Sequence, residues 1–400
     1  MSRPRRPRVA PPRGESVAGR RLTVDVGAVA HGGHCVARSA EPESRVIFVR
    51  HTLPGERVVV ELTEGTEGDR FWRGDAVEIL TASPDRVVAP CPFSGPQRCG
   101  GCDFQHVALP AQRELKAAVV REQLTRLARL PVEHPAVAEL VVEEVPPLDG
   151  LRWRSRVGFV PLPGGALGLH AHRSRAIVEV DDCLIGTEAA VADWRADERV
   201  PLTTETVSAG GTTHEFEVAA DGFWQPHAAA PSVLVNAVMD FLRPQPGERA
   251  LDLYAGVGVF ARFLLDAVGS RGSVTMVEAE RAAADCARHN LPQLPGVGAS
   301  RVLCGVVERV LSGGLDEPFD LVVLDPPRAG AKRKVVEQIA DRAPRAIAYV
   351  ACDPAALARD IAFFAEFGYE LTGLRSFDLF PMTHHVECVA LLTKTGPDLR

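Results

Sequence analysis

The first fifth of the chain alternates apolar and polar residues in short runs that end at glycines. Leu22, Val24 and Val26 are separated by polar residues, and the spacing returns further along at Val58, Val60 and Leu62. A period of two is typical of a β-strand with one buried face. Turn-forming pairs, among them Gly32-Gly33 and Pro54-Gly55, separate the runs. Several short strands joined by tight turns predict a small β-barrel over residues 20–82.

The hydrophobic period changes after the barrel. Residues 83–104 form a cysteine-bearing loop, and 107–130 is predicted to contain a helix. The apolar positions on one face of this helix are Leu115, Val119, Val120, Leu124, Leu127 and Leu130. Alternation resumes over 151–180. We therefore expect a β-rich central domain over 83–228, with the helix at 107–130 packing on the domain that follows.

Strands and helices alternate from residue 229 to the C-terminus. The apolar runs that predict strands include Ala250–Tyr254, Ser273–Val277, Asp320–Leu324 and Ala346–Val350, each followed by a helical pattern. Alternation of this kind is typical of a doubly wound α/β domain. Such a domain is expected over 229–400.

Length and charge narrow the class of protein. A chain of 400 residues exceeds a usual single domain. It has no apolar run of about 18 residues and no secretory leader pattern, so a cytoplasmic protein without a membrane span is expected. The net charge is −7, yet the first 21 residues hold seven arginines and one acid. A basic arm over 1–19 is expected, either binding phosphates or remaining a solvated, disordered tail.

Residues at three predicted strand ends favour a ligand with an adenosine group. The first strand runs into the glycine-rich turn Tyr254-Ala255-Gly256-Val257-Gly258. Dinucleotide-binding proteins share such turns, but Ala261 replaces the third glycine of their pattern. Glu278 ends the second strand, where a carboxylate can accept ribose hydroxyl protons. Asp325-Pro326-Pro327 follows the fourth strand, and this triplet is typical of methyltransferases that use S-adenosylmethionine.

A thiol and a carboxylate near the C-terminus supply candidate chemistry. Cys352 follows the predicted strand Ala346–Val350, at the edge where open α/β sheets place their sites. A thiolate is a strong nucleophile, and Glu387 is a candidate general base. The competing interpretation is that Cys352 is a small buried core residue.

Several motifs carry a resemblance to a known family over about residues 20–395. They are Cys91…Cys99-Gly100-Gly101-Cys102, Phe223-Trp224-Gln225, Asp252-Leu253-Tyr254-Ala255-Gly256, Asp325-Pro326-Pro327-Arg328, Cys352-Asp353-Pro354 and His385-Val386-Glu387. The chain resembles the TRAM-domain RNA 5-methyluridine methyltransferases, the class that contains the 23S ribosomal RNA and tRNA uracil-C5 enzymes. The resemblance implies an N-terminal TRAM barrel of the oligonucleotide-binding type and a C-terminal methyltransferase domain.

The resemblance also implies roles for particular residues. Cys352 is expected to add to C6 of uracil, and Glu387 to remove the C5 proton. The S-adenosylmethionine residues are expected to be Gln225, Tyr254, Gly256, Glu278 and Asp325. The implied partner is RNA, with 23S ribosomal RNA favoured over tRNA, and a monomer is expected. A non-catalytic RNA-binding or assembly factor that keeps the fold is the alternative.

Four cysteines form a candidate metal site. Three of them are Cys91, Cys99 and Cys102, and Cys183 lies far downstream. Four thiolates suit zinc or an iron–sulfur cluster, and spacing alone favours zinc. The resemblance instead implies a 4Fe–4S cluster with a structural role.

Three positions depart from the pattern of the family. Asp353 stands where asparagine is common, and a carboxylate beside the nucleophile can raise the pKa of the thiol. Val259 and Val306 replace polar residues near the expected cofactor. These departures concern the affinity for S-adenosylmethionine more than the type of reaction.

Overall fold

The structure is a computed structural model that describes residues 14–40, 44–193, 202–292 and 298–395. Residues 1–13 of the predicted basic arm lie outside this part. Within the described ranges, no helix combines the length and the apolar character needed to cross a membrane.

Eighteen strands and nine α-helices occur in the described part of the chain. The strands are β1 Arg21–Ala30, β2 His34–Arg38, β3 Val46–Arg50, β4 Arg57–Glu64, β5 Phe71–Thr81, β6 Val142–Glu143, β7 Val160–Pro161, β8 Leu167–His170, β9 Ile177–Val180, β10 Leu202–Ala209, β11 Thr212–Ala219, β12 Arg249–Leu253, β13 Ser273–Glu278, β14 Ala299–Cys304, β15 Leu321–Leu324, β16 Ala346–Ala351, β17 Tyr369–Phe377 and β18 Glu387–Lys394. The helices are α1 Leu109–Arg126, α2 Pro135–Ala138, α3 Glu188–Asp193, α4 Ala230–Leu242, α5 Val259–Val268, α6 Arg281–Asn290, α7 Val307–Ser312, α8 Lys332–Asp341 and α9 Pro354–Glu366.

The chain divides into two compact units. The first contains the described residues of Met1–Gln112 together with Val160–Asp181 and Met382–His384. The second contains Arg113–Phe159, Asp182–Pro381 and the described residues from His385 onward. The predicted central domain, 83–228, therefore contributes residues to both units.

The first unit contains a closed barrel with the strand order β1-β2-β3-β5-β4. Strand β1 pairs with β4 as well as with β2, which closes the barrel, and β3 runs parallel to β5. Alternate residues point inward, so Val24, Val26, Ile47, Val58 and Val60 are buried. The barrel predicted from the period of two is confirmed. A separate three-stranded sheet, β7-β8-β9, also belongs to this unit.

The second unit is built on an eight-stranded sheet with the order β14-β13-β12-β15-β16-β18-β17-β6. The first five strands in this order are parallel, whereas β18 runs antiparallel to both β16 and β17. All six residues of β16 are buried, as expected for a strand covered on both faces. The α/β architecture predicted from residue 229 onward is confirmed.

Helix α1 packs on one face of this sheet. Its residues Ala117, Val120 and Leu124 belong to the same buried cluster as Leu251 and Ile347 of the sheet. The helical period predicted this apolar face.

Three polar residues of α1 are nevertheless buried, and the apolar pattern did not identify them. They are Gln112, Lys116 and Gln123. Leu127, which the pattern placed on the buried face, is 39 % exposed. The buried side of the helix therefore mixes apolar contacts with specific hydrogen bonds and an ion pair.

Candidate active site

The glycine-rich turn after β12 exposes its backbone. Gly256 and Gly258 have φ values of 55° and 88°, in the left-handed region that glycine adopts without strain. A Cβ at Gly256 would meet nothing within 4 Å, whereas one at Gly258 would contact the side chains of Met276 and Ala287. A ligand can therefore approach the chain closely at Gly256. Tyr254 also has a positive φ, 60°, which is uncommon for an aromatic residue.

Glu278 closes one side of this turn. One carboxylate oxygen accepts the backbone N–H of Gly256 at 2.8 Å, and the other accepts the N–H of Glu280 at 2.6 Å. The two bonds fix the orientation of the carboxylate at the end of β13. Each oxygen keeps a second lone pair that a hydroxyl group can use.

Asp325 lies on the neighbouring strand end, directly after β15. Its backbone N–H donates to the Leu253 carbonyl at 3.2 Å, and the Gln225 amide nitrogen lies 3.4 Å from its carboxylate. Desolvation raises the pKa of the Asp325 carboxyl to about 7. The structure thus brings together Gln225 and Asp325, which are 100 positions apart.

The register of β16 and β18 places Cys352 beside Glu387. Ala351 is the partner of Cys388 in this antiparallel ladder. Continuing the register by one residue puts Cys352, just past the end of β16, opposite Glu387, the first residue of β18. Directly opposite residues of an antiparallel pair have Cβ atoms about 4.5–5.5 Å apart. The two candidate catalytic residues are therefore neighbours at the sheet edge that also carries Asp325.

The electrostatic environment favours the protonated forms of Cys352 and Glu387. Burial, together with the negative charges of Glu387 and Asp325, raises the pKa of the Cys352 thiol to about 11. Glu387 itself is only 2 % exposed. Burial raises its pKa well above the ordinary value, and Asp325 acts in the same direction. Both groups therefore bind a proton more tightly than they would in water.

Arg328 is the positive charge that opposes this effect. It lowers the pKa of both Cys352 and Glu387. Its guanidinium lies 3.2 Å from the Nε2 atom of His385. The sequence alone predicts no role for Arg328, because an exposed arginine after Pro327 has no pattern that indicates a function.

Asp252 is a buried carboxyl group that the sequence analysis did not assign to the site. It is 1 % exposed, and its Oδ2 atom accepts the backbone N–H of Ala261 at 2.9 Å. Its Oδ1 atom is buried and has no hydrogen-bond partner within the described part of the protein. Burial raises the pKa of Asp252 well above its ordinary value, and the charges of Asp325 and Glu278 add to the effect.

The structure gives one of the three departures a local explanation. The Asp353 side chain accepts the backbone N–H of Ala356 at 2.8 Å and so caps α9. An N-terminal cap of this kind stabilises a helix by about 1 kcal/mol. Val306 precedes α7 and is 50 % exposed, and Val259 begins α5. Nothing in the structure explains these two valines.

The predicted metal site is not supported by the described residues, which contain no group of three or more His, Cys, Asp or Glu side chains arranged to hold a metal ion. All four cysteines are partly buried thiols without disulfide bonds. The described residues therefore give no support to the 4Fe–4S cluster or to the zinc ion.

The strand ends do fit a bound S-adenosylmethionine. Gly256 leaves open space beside its backbone, Glu278 presents an oriented carboxylate, and Asp252 has a buried oxygen without a partner among the described protein atoms. These features lie at the carboxyl ends of parallel strands, where doubly wound sheets bind nucleotides.

Family models match three parts of the chain. The TRAM domain matches residues 15–77, the methyltransferase small domain residues 232–349, and the tRNA (uracil-5-)-methyltransferase model residues 314–395. An uncharacterized RNA methyltransferase of Streptomyces coelicolor is 45% identical, with 96% of this chain and 95% of that protein aligned. The 23S rRNA (uracil(1939)-C(5))-methyltransferase RlmD of Chromohalobacter salexigens is 33% identical over 92% of this chain and 88% of its own.

A solved structure has the same fold. It is the Pyrococcus abyssi tRNA (uracil-54, C5)-methyltransferase in complex with S-adenosyl-L-homocysteine, with a TM-score of 0.63 and 20% identity over 92% of this chain and 99% of that one. The chain belongs to the TRAM-domain RNA uracil-C5 methyltransferase family.

Alkylation of Cys352 tests the electrostatics of the site. Only the thiolate reacts, so the rate at Cys352 should rise about tenfold per pH unit up to a pKa near 11. Arg328→Met should shift this profile to higher pH, because it removes the positive charge that lowers the pKa. The rate is measured with iodoacetamide and peptide mass spectrometry. Arg309→Met, at an exposed arginine of the same unit, is the control. A profile that is flat below pH 9 would contradict the raised pKa.

Proposed function

We propose that this protein methylates C5 of a uridine in RNA, with S-adenosylmethionine as methyl donor and a covalent bond between Cys352 and C6 as the intermediate. The observation that carries the proposal is the cross-strand placement of Cys352 against Glu387, at the edge of the sheet where the strand before the glycine-rich turn also ends. A nucleophile, a base and a donor site at one sheet edge are the groups that this reaction needs.

In the first step the Cys352 thiol loses its proton to water, and the sulfur attacks C6 of the base. C5 of uracil is a poor nucleophile until a thiolate adds to C6, which moves the ring electrons to O4 as an enolate. With a pKa of about 11, roughly one thiol in 10⁴ is ionised at pH 7. Arg328 favours the ionised form. We assign it the role of stabilising the thiolate when the base is bound.

The second step transfers the methyl group, and the third restores the ring. Bound S-adenosylmethionine supplies the methyl group from its positively charged sulfur, and C5 accepts it. Glu387 then takes the C5 proton, the C5–C6 double bond returns, and the bond between C6 and sulfur breaks to release Cys352. Because its pKa is raised, the Glu387 carboxylate is a stronger base than an ordinary glutamate.

Cofactor binding is assigned to the residues around the turn. Glu278 accepts hydrogen bonds from the ribose hydroxyls, and Gly256 allows the ligand to approach the backbone. Gln225 and Asp325 lie between this turn and Cys352. Tyr254, held at a positive φ, packs beside the ligand. Bound S-adenosylmethionine would supply the methyl group at the edge of the sheet that also carries Cys352.

The outer face of the barrel supports RNA as the substrate. Phe48 packs edge-on against Phe71 at 5.3 Å and against His34 at 4.7 Å. The Arg73 guanidinium lies over the Phe71 ring at 4.9 Å, and Phe71 is 40 % exposed. Exposed aromatic rings and arginine planes are surfaces on which single-stranded bases stack. The target base must also leave its own stack to reach Cys352, which costs a few kcal/mol.

Among RNAs, we propose 23S ribosomal RNA over tRNA. The support is the similarity to the 23S rRNA methyltransferase RlmD, which aligns over most of both chains. The tRNA enzyme of known structure shares the fold at lower identity.

Mapping of 5-methyluridine tests the substrate and the nucleophile together. Cells that lack the gene should lose the modification at one uridine of 23S rRNA, and the parent protein should restore it. Cys352→Ala should restore none, because no thiolate can form. Cys304→Ala, which removes an exposed thiol on β14, is the matched control. The modification disappearing from tRNA instead would redirect the substrate, and full restoration by Cys352→Ala would exclude the nucleophile.

Glu387→Gln should trap the covalent intermediate. Without a base the C5 proton stays on the ring, so the sulfur–carbon bond cannot break after methyl transfer. A complex of protein and RNA that survives denaturation should appear on gels, and its mass should include the added methyl group. Absence of any such complex, on an RNA that the parent protein methylates, would place the base elsewhere.

The cysteine cluster remains a separate proposal, and no step of the reaction passes through it. Protein purified without oxygen should be brown and contain about four iron atoms per chain if a 4Fe–4S cluster forms. Elemental analysis measures iron and zinc together. A colourless protein with one zinc would favour the alternative, and a metal-free active protein would agree with the geometry described above.

A further inference from the structure

We infer that a buried ion pair between Lys116 and Asp378 positions the loop that carries the general base, an inference that rests on the proposed function. Lys116 lies on α1 and is 1 % exposed, and Asp378 is 2 % exposed. The Lys116 Nζ atom lies 2.5 Å from the Asp378 carboxylate and 3.0 Å from the Phe380 carbonyl oxygen. One ammonium group thus binds the loop at two places.

The loop is linked to Glu387 by strand pairing. Asp378 follows Phe377, and Phe377 is the register partner of Glu387 in the β17–β18 ladder. The segment between them turns the chain from one strand into the other. Because Phe377 is paired with Glu387, contacts that hold the adjacent Asp378 in place also bear on the position of the first residue of β18.

Two further contacts hold the start of the loop. The Asp378 backbone N–H donates to the Glu143 carbonyl at 2.8 Å, which extends the pairing of β6 with β17. The Phe380 ring packs edge-on against Trp153 at 5.8 Å. Of these three contacts at the start of the loop, the one from Lys116 adds a full charge, so its removal should displace Asp378 and Phe380 more than loss of either other contact.

A buried ion pair is a weak source of stability. Removing two charges from water costs free energy that their attraction barely returns, and apolar replacements of both partners are often neutral or stabilising. Breaking a pair by removing one partner is costly, because it leaves a buried charge. A pair at this position is therefore better explained by the geometry that it imposes on the loop than by a gain in stability.

The kinetic scheme gives a readout that stability alone would not change. Glu387 acts after methyl transfer, so a displaced carboxylate slows release of the enzyme from the methylated ring. The covalent intermediate should then accumulate during turnover. Binding of S-adenosylmethionine should be unaffected, because its residues lie on other strands.

The test compares two double variants of the full protein, each acting on the RNA substrate before its target uridine is methylated. Lys116→Met with Asp378→Leu removes both charges and keeps similar volumes. We expect kcat to fall about tenfold or more, as small displacements of reacting groups do, and the steady-state fraction of covalent complex to rise. The dissociation constant for S-adenosylhomocysteine should stay within about twofold, since no ligand contact is lost.

The matched control is Arg345→Met with Glu248→Leu. That pair joins the opposite ends of the strands, before β16 and β12, with contacts of 2.6 and 2.9 Å. Its removal should leave the fraction of covalent complex at the parent value.

Parent-like kcat and parent-like covalent fraction in the Lys116/Asp378 variant would overturn the inference. If that variant does not fold, Asp378→Asn keeps the shape and weakens the pair, and the same two readouts decide. Failure of the proposed function is distinguishable, because Glu387→Gln would then trap no complex at all. If Glu387→Gln traps a complex but the Lys116/Asp378 variant behaves like the parent, the proposed function stands and only the positioning role is contradicted.

Discussion

The antiparallel insertion of β18 between β16 and β17 is the constraint on which the candidate site depends. In a parallel sheet, ligands bind at the carboxyl ends of the strands. The first residue of a parallel strand therefore lies at the opposite end, away from the ligand. Because β18 runs the other way, its first residue, Glu387, meets the residue that follows the last position of β16, Cys352. One reversed strand therefore brings a thiol and a carboxylate together, at the edge of the sheet where β12 and β15 also end.

The site buries acidic groups whose ionised forms would be better solvated in water. Three acidic groups, Asp252, Asp325 and Glu387, and the Cys352 thiol share a poorly hydrated region, and burial raises the pKa of each of them. Crowded groups of this kind cannot all ionise, so protons remain on some of them. A site that holds its protons tightly is suited to a reaction that needs a strong base late in the cycle. Ionisation of the Cys352 thiol is favoured by the nearby positive charge of Arg328.

The architecture was largely predictable, whereas the contacts between distant residues were not. The period of two identified the barrel, and the change to alternating strands and helices identified the sheet. The positions of Gly256, Glu278, Asp325 and Cys352 at strand ends followed from the same pattern. The pairing of Cys352 with Glu387 came only from the resemblance, because one sequence does not show that β18 inserts beside β16. Lys116 was overlooked because a lysine on a helix is usually solvated, and its burial depends on a carboxylate 262 positions away. The cysteine cluster, inferred from spacing and resemblance, found no support in the geometry.

The short strand β6 has a consequence for how the protein behaves at high concentration. Where the short strand β6 does not cover it, β17 is the outer strand of the sheet. An uncovered outer strand offers unpaired backbone N–H and C=O groups to neighbouring molecules. Strand β6 pairs with β17 at Ser376 and Phe377, the end of β17 nearest the candidate site. Further along, a bulge at Leu371–Gly373 distorts the strand, and Arg375 binds Glu143 across its edge. These features discourage edge-to-edge pairing of β17 with a strand of another molecule.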